Sequence, residues 1–186
     1  MPKHGVCPWW VGYLLASPIR KLMQDPARFL QPYVRAGMTV LEPGPGMGFF
    51  TLELARLVGP EGRVVAVDVQ PRMVEGLRRR AKRAGLLARI DARVAPGETM
   101  ALTALEGAVD FVLAFAMVHE TPSTATFFAE AAQAMKPGAK ILLVEPAGHV
   151  NDRDFAEELR LAADVGLAVI DQPTVSRSHA AILKKS

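Results

Sequence analysis

The chain has very little cysteine and almost no excess of charge. Cys7 is the single cysteine among 186 residues, which excludes an internal disulfide and a cysteine-rich metal site. We therefore predict no bound metal. The formal net charge is +3, which permits an acidic partner without indicating one. The main basic run, RRRAKR at residues 78–83, is interpreted as a solvated helix face, so nucleic acid is not expected as a partner.

The N-terminal region lacks an apolar run long enough to cross a membrane. WWVGYLLA, at residues 9–16, is followed at once by SPIRK. A run of this length is too short to span a bilayer and is weak as a signal peptide. We interpret residues 1–36 as a helical cap and expect a cytoplasmic protein.

Short apolar runs alternate with helical periods from residue 38 onward. The predicted strands are residues 38–42, 63–69, 88–94, 108–117 and 140–146. The predicted helices are residues 49–58, 71–85, 125–138 and 152–166. This repetition predicts a parallel, doubly wound sheet with right-handed crossovers.

The end of the chain breaks this rhythm. LAVIDQP at residues 167–173 and SRSHAAILKK at residues 176–185 are two strand patterns separated only by a short turn. The last strand should therefore run antiparallel to its neighbour. With no repeat or linker, we predict a single domain over residues 1–186, whose core is residues 37–186.

A glycine-rich turn, EPGPGMGF, follows the first predicted strand. Its glycines are spaced G-x-G-x-G, whereas a dinucleotide fingerprint would need a glycine at Phe49. Glu42 places a carboxylate beside a helix start, which favours an ammonium group over a phosphate. Asp68, twenty residues after Gly48, can accept both hydrogen bonds from a ribose diol. Together these features favour S-adenosylmethionine (SAM) over NAD.

On these motifs the chain resembles the class I SAM-dependent methyltransferases. The family's first motif is matched by VLEPGPGMG, its ribose-binding acid by Asp68, and its fifth strand by MKPGAKILLVEP. The resemblance covers residues 36–184. It implies an α/β, Rossmann-like seven-stranded sheet with an antiparallel last strand, an enzyme that transfers methyl groups, and SAM as cofactor.

The resemblance also implies which residues bind the cofactor. Glu42 and the turn would face the methionine end of SAM, Asp68 the ribose, and Val69 the adenine. Met73 would either contact the adenine or pack in the core. The complete predicted set is Glu42, Pro43, Gly44, Pro45, Gly46, Gly48, Asp68, Val69, Met73, Pro96, Gly97, Ala114 and Phe115. Pro96 and Gly97 occupy the region where many family members place an Asp, so a backbone carbonyl or Glu98 is the alternative partner of the adenine amine.

The residues at the end of the fourth predicted strand restrict the acceptor. Residues 114–117, AFAM, do not match the Asn-Pro-Pro-Tyr-like tetrad of rRNA adenine dimethyltransferases. Ala114 cannot bind the Mg²⁺ of catechol-type enzymes, and arsenite methylation would need several thiols. A small, largely apolar acceptor is therefore predicted. Its proposed pocket consists of Trp9, Trp10, Tyr13, Leu14, Phe49, Phe115 and Met117.

His119 and Glu120 are the titratable pair closest behind the fourth strand. We predict His119 as a general base, oriented by Glu120. The alternative is a loop histidine satisfied by a backbone group. His149 and His179 are expected to lie far from the site.

Two other functions stay open at this level. The aromatic N-terminus, followed by Arg20 and Lys21, suits a phospholipid head-group N-methyltransferase in peripheral contact with a membrane. Residues 114–120 contain few polar side chains, which suits a subunit that binds SAM without catalysing a reaction.

Overall fold

The computed structural model describes residues 26–186, which divide into two compact units between Ala95 and Pro96. The first unit contains α1 (Pro26–Leu30), β1 (Thr39–Pro43), α2 (Thr51–Leu57), β2 (Arg63–Asp68), α3 (Pro71–Arg83) and β3 (Ile90–Val94). The second contains β4 (Val109–Phe115), α4 (Thr124–Ala134), β5 (Met135–Pro146), α5 (Asp152–Ala163), β6 (Leu167–Asp171) and β7 (Ser178–Lys185). The strands form a seven-stranded sheet in the order β3-β2-β1-β4-β5-β7-β6. The predicted α/β, Rossmann-like class is confirmed.

In the first unit, β1, β2 and β3 pair in parallel. Four of the five residues of β1 and five of the six of β2 are buried, as expected for strands covered on both faces. The helix α3 begins at Pro71, and Gly85 follows it with φ +69°. Proline at the start and a left-handed glycine just past the end are the usual signals of helix limits.

In the second unit, the strand directions change as the sequence predicted. β4 and β5 are parallel, whereas β7 runs antiparallel to both β5 and β6. The helix α5 begins after Asn151, whose side chain accepts a 2.9 Å hydrogen bond from the backbone N–H of Asp154. An asparagine in this position satisfies one of the unpaired N–H groups of a helix start.

Several predicted limits were wrong, among them the following three. The helix predicted over residues 125–138 ends at Ala134, because Met135 is already extended and fully buried in β5 and Pro137 disfavours helical backbone at Lys136. The strand predicted over residues 108–117 ends at Phe115, since Ala116 has φ +54°. The strand predicted from residue 88 begins at Ile90, after a 3₁₀ turn at Leu87–Arg89.

The division into a cap of residues 1–36 and a core stays a prediction, because residues 1–25 lie outside the described residues. Trp9, Trp10, Tyr13 and Leu14, the predicted lid of the acceptor pocket, belong to that region. Across residues 26–186, every helix is too short or too polar to span a bilayer.

Candidate active site

The turn after β1 depends on three glycines in left-handed backbone conformation. Gly44, Gly46 and Gly48 have φ of +65°, +54° and +83°, a region that side chains with a Cβ rarely adopt. The turn is closed by hydrogen bonds from the N–H of Gly44 to the carbonyl of Val67 and from the N–H of Gly48 to the carbonyl of Pro45, both 2.9 Å. The G-x-G-x-G spacing therefore has a direct geometric cause.

Helix α3 supports this turn from one side. A Cβ added at Gly76 would lie 3.1 Å from Cγ of Met47, so the missing side chain lets the turn approach the helix. One turn further on, the Arg80 guanidinium donates a 2.5 Å hydrogen bond to the carbonyl of Met47. The turn is thus held by α3 as well as by its own backbone hydrogen bonds.

Glu42, at the end of β1, is buried with an unsatisfied oxygen. The residue is 3% exposed, and its Oε2 has no hydrogen-bond partner among residues 26–186. Burial raises the pKa of Glu42 to about 8; the Thr51 hydroxyl lowers it and the charge of Asp68 raises it, both to a smaller extent. That hydroxyl comes near Glu42 without meeting hydrogen-bond geometry, since Oγ1 of Thr51 also has no partner among the described residues. An unsatisfied buried carboxyl is costly unless a ligand supplies the missing donor.

Asp68 ends β2 in a constrained position. It is 8% exposed, its Oδ1 accepts a 2.8 Å hydrogen bond from the N–H of Gln70, and its carbonyl accepts one of 2.9 Å from Ala95. The next residue, Val69, is 41% exposed, whereas Met73 is 4% exposed and packs within the core. Val69 thus offers an apolar surface beside the acid, and the burial of Met73 favours a packing role for that residue.

These residues of the first unit fit SAM. The unsatisfied Glu42 carboxyl suits the ammonium of its methionine part, the left-handed turn allows close backbone approach, and Asp68 suits a ribose diol. The individual contacts stay predictions. Phe49, predicted to line the acceptor pocket, is 6% exposed and meets Phe50 edge to face, with ring centroids 4.9 Å apart.

In the second unit, the residues at the end of β4 differ in their burial. Ala114 is fully buried, Phe115 and Met117 are half-buried, and Val118 is buried again. Between them, Ala116 turns the chain away from the strand with its positive φ. Of the two residues predicted near the adenine in this unit, Pro96 is exposed, and Gly97 has φ +105° with open space where a Cβ would be.

His119 is held by a carboxylate that the sequence reasoning missed. Its Nδ1 forms a hydrogen bond with Oε2 of Glu145, at the end of β5, and the two side chains are 8% and 0% exposed. Oε1 of Glu145 accepts hydrogen bonds from the backbone N–H groups of Met117 (3.3 Å) and Val118 (2.8 Å). Burial lowers the pKa of His119. The hydrogen bond to Glu145 and the charges of Glu145 and Glu120 together raise this pKa by more than burial lowers it, so the net pKa is above its ordinary value.

Glu120 was predicted to orient His119, and this role stays a prediction; the hydrogen bond that the structure shows joins His119 to Glu145. One expectation about the other histidines was wrong. His149 was expected to be remote, yet its ring centroid lies 5.3 Å from that of His119. His179 instead contacts the carbonyl of Val150 at 3.0 Å and stacks on Phe155.

Another buried acid lies on α5. Glu158 is 6% exposed, and its Oε2 has no hydrogen-bond partner within residues 26–186. Burial raises the pKa of Glu158 to about 8, and the charges of Glu145 and Asp154 raise it further. Among the described residues, no group of three or more His, Cys, Asp or Glu side chains is arranged to hold a metal ion.

Comparison with known proteins gives three results. A family model described as a methyltransferase domain matches residues 40–138. A demethylmenaquinone methyltransferase of Lactococcus lactis is 28% identical over 109 residues, covering 59% of this chain and 42% of the relative. A ribosomal protein L11 methyltransferase of Pelotomaculum thermopropionicum is 36% identical over 150 residues, covering 81% and 44%. The chain thus spans less than half the length of these curated relatives.

The fold has a close counterpart among solved structures. A SAM-dependent methyltransferase from Aquifex aeolicus superposes with a TM-score of 0.86 at 24% identity, covering 97% of this chain and all of that one. At this identity the likeness concerns the fold alone. The family model, however, matches more than half of the sequence, including the turn and Asp68. The chain therefore belongs to the class I SAM-dependent methyltransferases.

Proposed function

We propose that this methyltransferase acts on a small, largely apolar acceptor whose nucleophile carries a proton, and that His119 removes this proton. Phenols, hydroquinones and activated carbon acids are acceptors of this kind. Bound SAM supplies an electrophilic methyl group on a sulfonium, and the transfer is an in-line displacement. The proposal assigns donor recognition to Glu42, Asp68 and the glycine turn.

The observation that carries the proposal is the His119–Glu145 pair. Because Glu145 is fully buried and accepts two backbone N–H groups besides His119, it cannot turn away from the imidazole. The ring is therefore fixed in one orientation, with Nδ1 occupied and Nε2 left to exchange protons. A histidine held in this way by a carboxylate is the usual arrangement of a general base.

The surroundings support an apolar acceptor. Phe115 and Met117, just before the histidine, are half-buried and uncharged, and such side chains line pockets for apolar small molecules. The names of two relatives, a demethylmenaquinone methyltransferase and a ubiquinone/menaquinone C-methyltransferase, refer to quinones. A hydroquinone combines an apolar ring with a protonated nucleophile, so it fits both observations.

The test is methyl transfer from labelled SAM to a panel of hydroquinones and phenols. Phosphatidylethanolamine vesicles and ribosomal protein serve as competing acceptors. We expect transfer to a ring acceptor that falls about a hundredfold or more in His119→Gln, while Glu61→Gln, at an exposed position, retains it. Labelling of the vesicles or the protein alone would refute the acceptor class. Equal rates for wild type and His119→Gln would refute the base.

A further inference from the structure

His119 needs a route by which its proton reaches water. Its side chain is 8% exposed, and Glu145 occupies Nδ1. A general base that accepts one proton per turnover must lose that proton before the next cycle. From Nε2, the proton has to leave through a neighbouring group or through a small amount of accessible surface.

The neighbour is His149, which is exposed. Its ring centroid lies 5.3 Å from that of His119, with the ring planes inclined by 58°. The loop after β5 fixes this position: the N–H groups of His149 and Val150 both donate to the carbonyl of Pro146 at 2.9 Å. Val150 is itself 2% exposed, and its carbonyl accepts from His179 at 3.0 Å. An exposed imidazole is thus held against a buried one by a well-anchored turn.

We propose that His149 is a proton shuttle, which carries the proton from His119 to bulk water. In this step the Nε2–H bond of His119 breaks, its electron pair returns to the ring, and a new N–H bond forms on His149, directly or through one water. His149 then releases the proton to solvent. Imidazole suits this role because its ring nitrogens can both accept and donate a proton. The inference rests on the proposed role of His119 as a base.

The charges around the pair make a shuttle useful. Glu145 and Glu120 both act on His119 in the direction that retains its proton. On α5, the pKa of Glu158 is raised by the charges of Glu145 and Asp154. Oδ1 of Asp152 lies 3.6 Å from Nδ1 of His179. Apart from His179, which is turned toward Val150 and Asp152, these neighbours are acids that attract the proton. A second imidazole in contact with His119 offers a path outward.

The experiment measures solvent exchange of the His119 ring N–H by NMR, in protein labelled with ¹⁵N at histidine, so that no acceptor is required. We compare wild type with His149→Gln and His149→Ala, the second because glutamine itself can hold a relay water. Exchange of the His119 ring N–H should be slower by about tenfold or more in His149→Ala than in wild type. This effect is smaller than the rate factor that a positioned proton-transfer group usually contributes. Added imidazole buffer should restore it in the variant and leave wild type unchanged.

Equal exchange rates in wild type and His149→Ala would overturn the shuttle. The same holds if imidazole accelerates both proteins equally. These outcomes are separable from failure of the proposed function. Loss of methyl transfer in His119→Gln with unchanged exchange in His149→Ala refutes only the shuttle. Slowed exchange together with full activity of His119→Gln refutes the base. Matching thermal midpoints of wild type and His149→Ala confirm that the variant is folded.

Discussion

Two strands of this protein end in the same dipeptide, and the two glutamates differ in what they bind. Glu42–Pro43 ends β1 and Glu145–Pro146 ends β5. Both acids are buried, at 3% and 0% exposure. Glu145 receives two backbone N–H groups and a histidine, whereas Oε2 of Glu42 has no partner among residues 26–186.

This difference shows that burial alone does not mark a ligand site. A buried carboxylate is stable when donors surround it, and at Glu145 the protein supplies all of them. At Glu42 the protein leaves one oxygen unsatisfied, and its pKa rises to about 8. Glu145 is thus part of the architecture of the second unit, whereas Glu42 is predicted to bind a positively charged ligand.

The comparison predicts the largest loss of stability at Glu145. Glu145→Ala leaves the N–H groups of Met117 and Val118 without an acceptor and frees the His119 ring. We expect the free energy of unfolding to fall by about 3–5 kcal/mol, as for the removal of one member of a buried polar network. Urea denaturation measures this. Glu145→Gln, which keeps an oxygen for the two N–H groups, should lose less, and a loss below about 1 kcal/mol in Glu145→Ala would contradict the assigned role.

Glu42 should show the opposite balance, with a large effect on binding and a small one on stability. Glu42→Gln removes the carboxylate that is predicted to pair with the ammonium of SAM, and a hydrogen bond to a charged group is worth about 1.5–3 kcal/mol. Affinity for SAM or S-adenosylhomocysteine, measured by calorimetry, should therefore fall by about tenfold to a hundredfold. Glu61→Gln is the matched control. Undiminished affinity in Glu42→Gln would assign the methionine end to other residues.

Glu158 is buried like Glu42, and we expect it to make the stability of the protein depend on pH. Its folded-state pKa is raised to about 8 from 4.5, so the folded chain binds a proton that the unfolded chain does not hold between these values. Its stabilising contribution is complete below about pH 4.5 and is lost as pH rises through about 8. The raised pKa values of Glu42 and His119 act in the same direction. The thermal midpoint of the ligand-free protein should therefore fall from pH 5 to pH 9.

Glu158→Gln tests this assignment. It should reduce the pH dependence, with a higher midpoint than wild type at pH 9 and little difference at pH 5, while SAM affinity stays unchanged. Glu61→Gln should follow the wild-type curve. A variant with the full wild-type slope would mean that Glu158 titrates normally.

The smallest expected signal is the release of a proton on SAM binding, which should depend on Glu42 and thereby distinguish it from Glu145. Free Glu42 is protonated at pH 7 because its pKa is about 8, and pairing with an ammonium group ionises it. SAM binding at pH 7 should therefore release about one proton. Calorimetry in buffers of different ionisation enthalpy measures this number, which should approach zero in Glu42→Gln. Proton release by that variant equal to wild type would place the linkage elsewhere.

The sequence allowed much of the first unit to be predicted and less of the second. Glu42, Gly48 and Asp68 lie within one βαβ unit, where short-range pattern and turn chemistry determine position. His119 and Glu145 are 26 positions apart, and they meet because β4 and β5 pair in parallel. A reading of the sequence alone favours the neighbour Glu120 as the partner of His119. His119 and Glu120 belong to a 3₁₀ turn, in which consecutive side chains point in directions about 120° apart.

Helix α3 gives the donor site a shared foundation. Through Gly76 and Arg80 it supports the glycine turn, and at its start the N–H of Gln70 donates to Asp68. The glycine turn and Asp68, which are predicted to bind the two ends of the donor, are therefore both supported by one helix. If the predicted contacts hold, a substitution that displaces α3 should weaken the binding of both ends of the donor together, so a lost affinity in such a variant is not assigned to the ribose or to the methionine alone. When a variant of this site loses affinity, displacement of α3 should therefore be tested before the loss is assigned to a single contact.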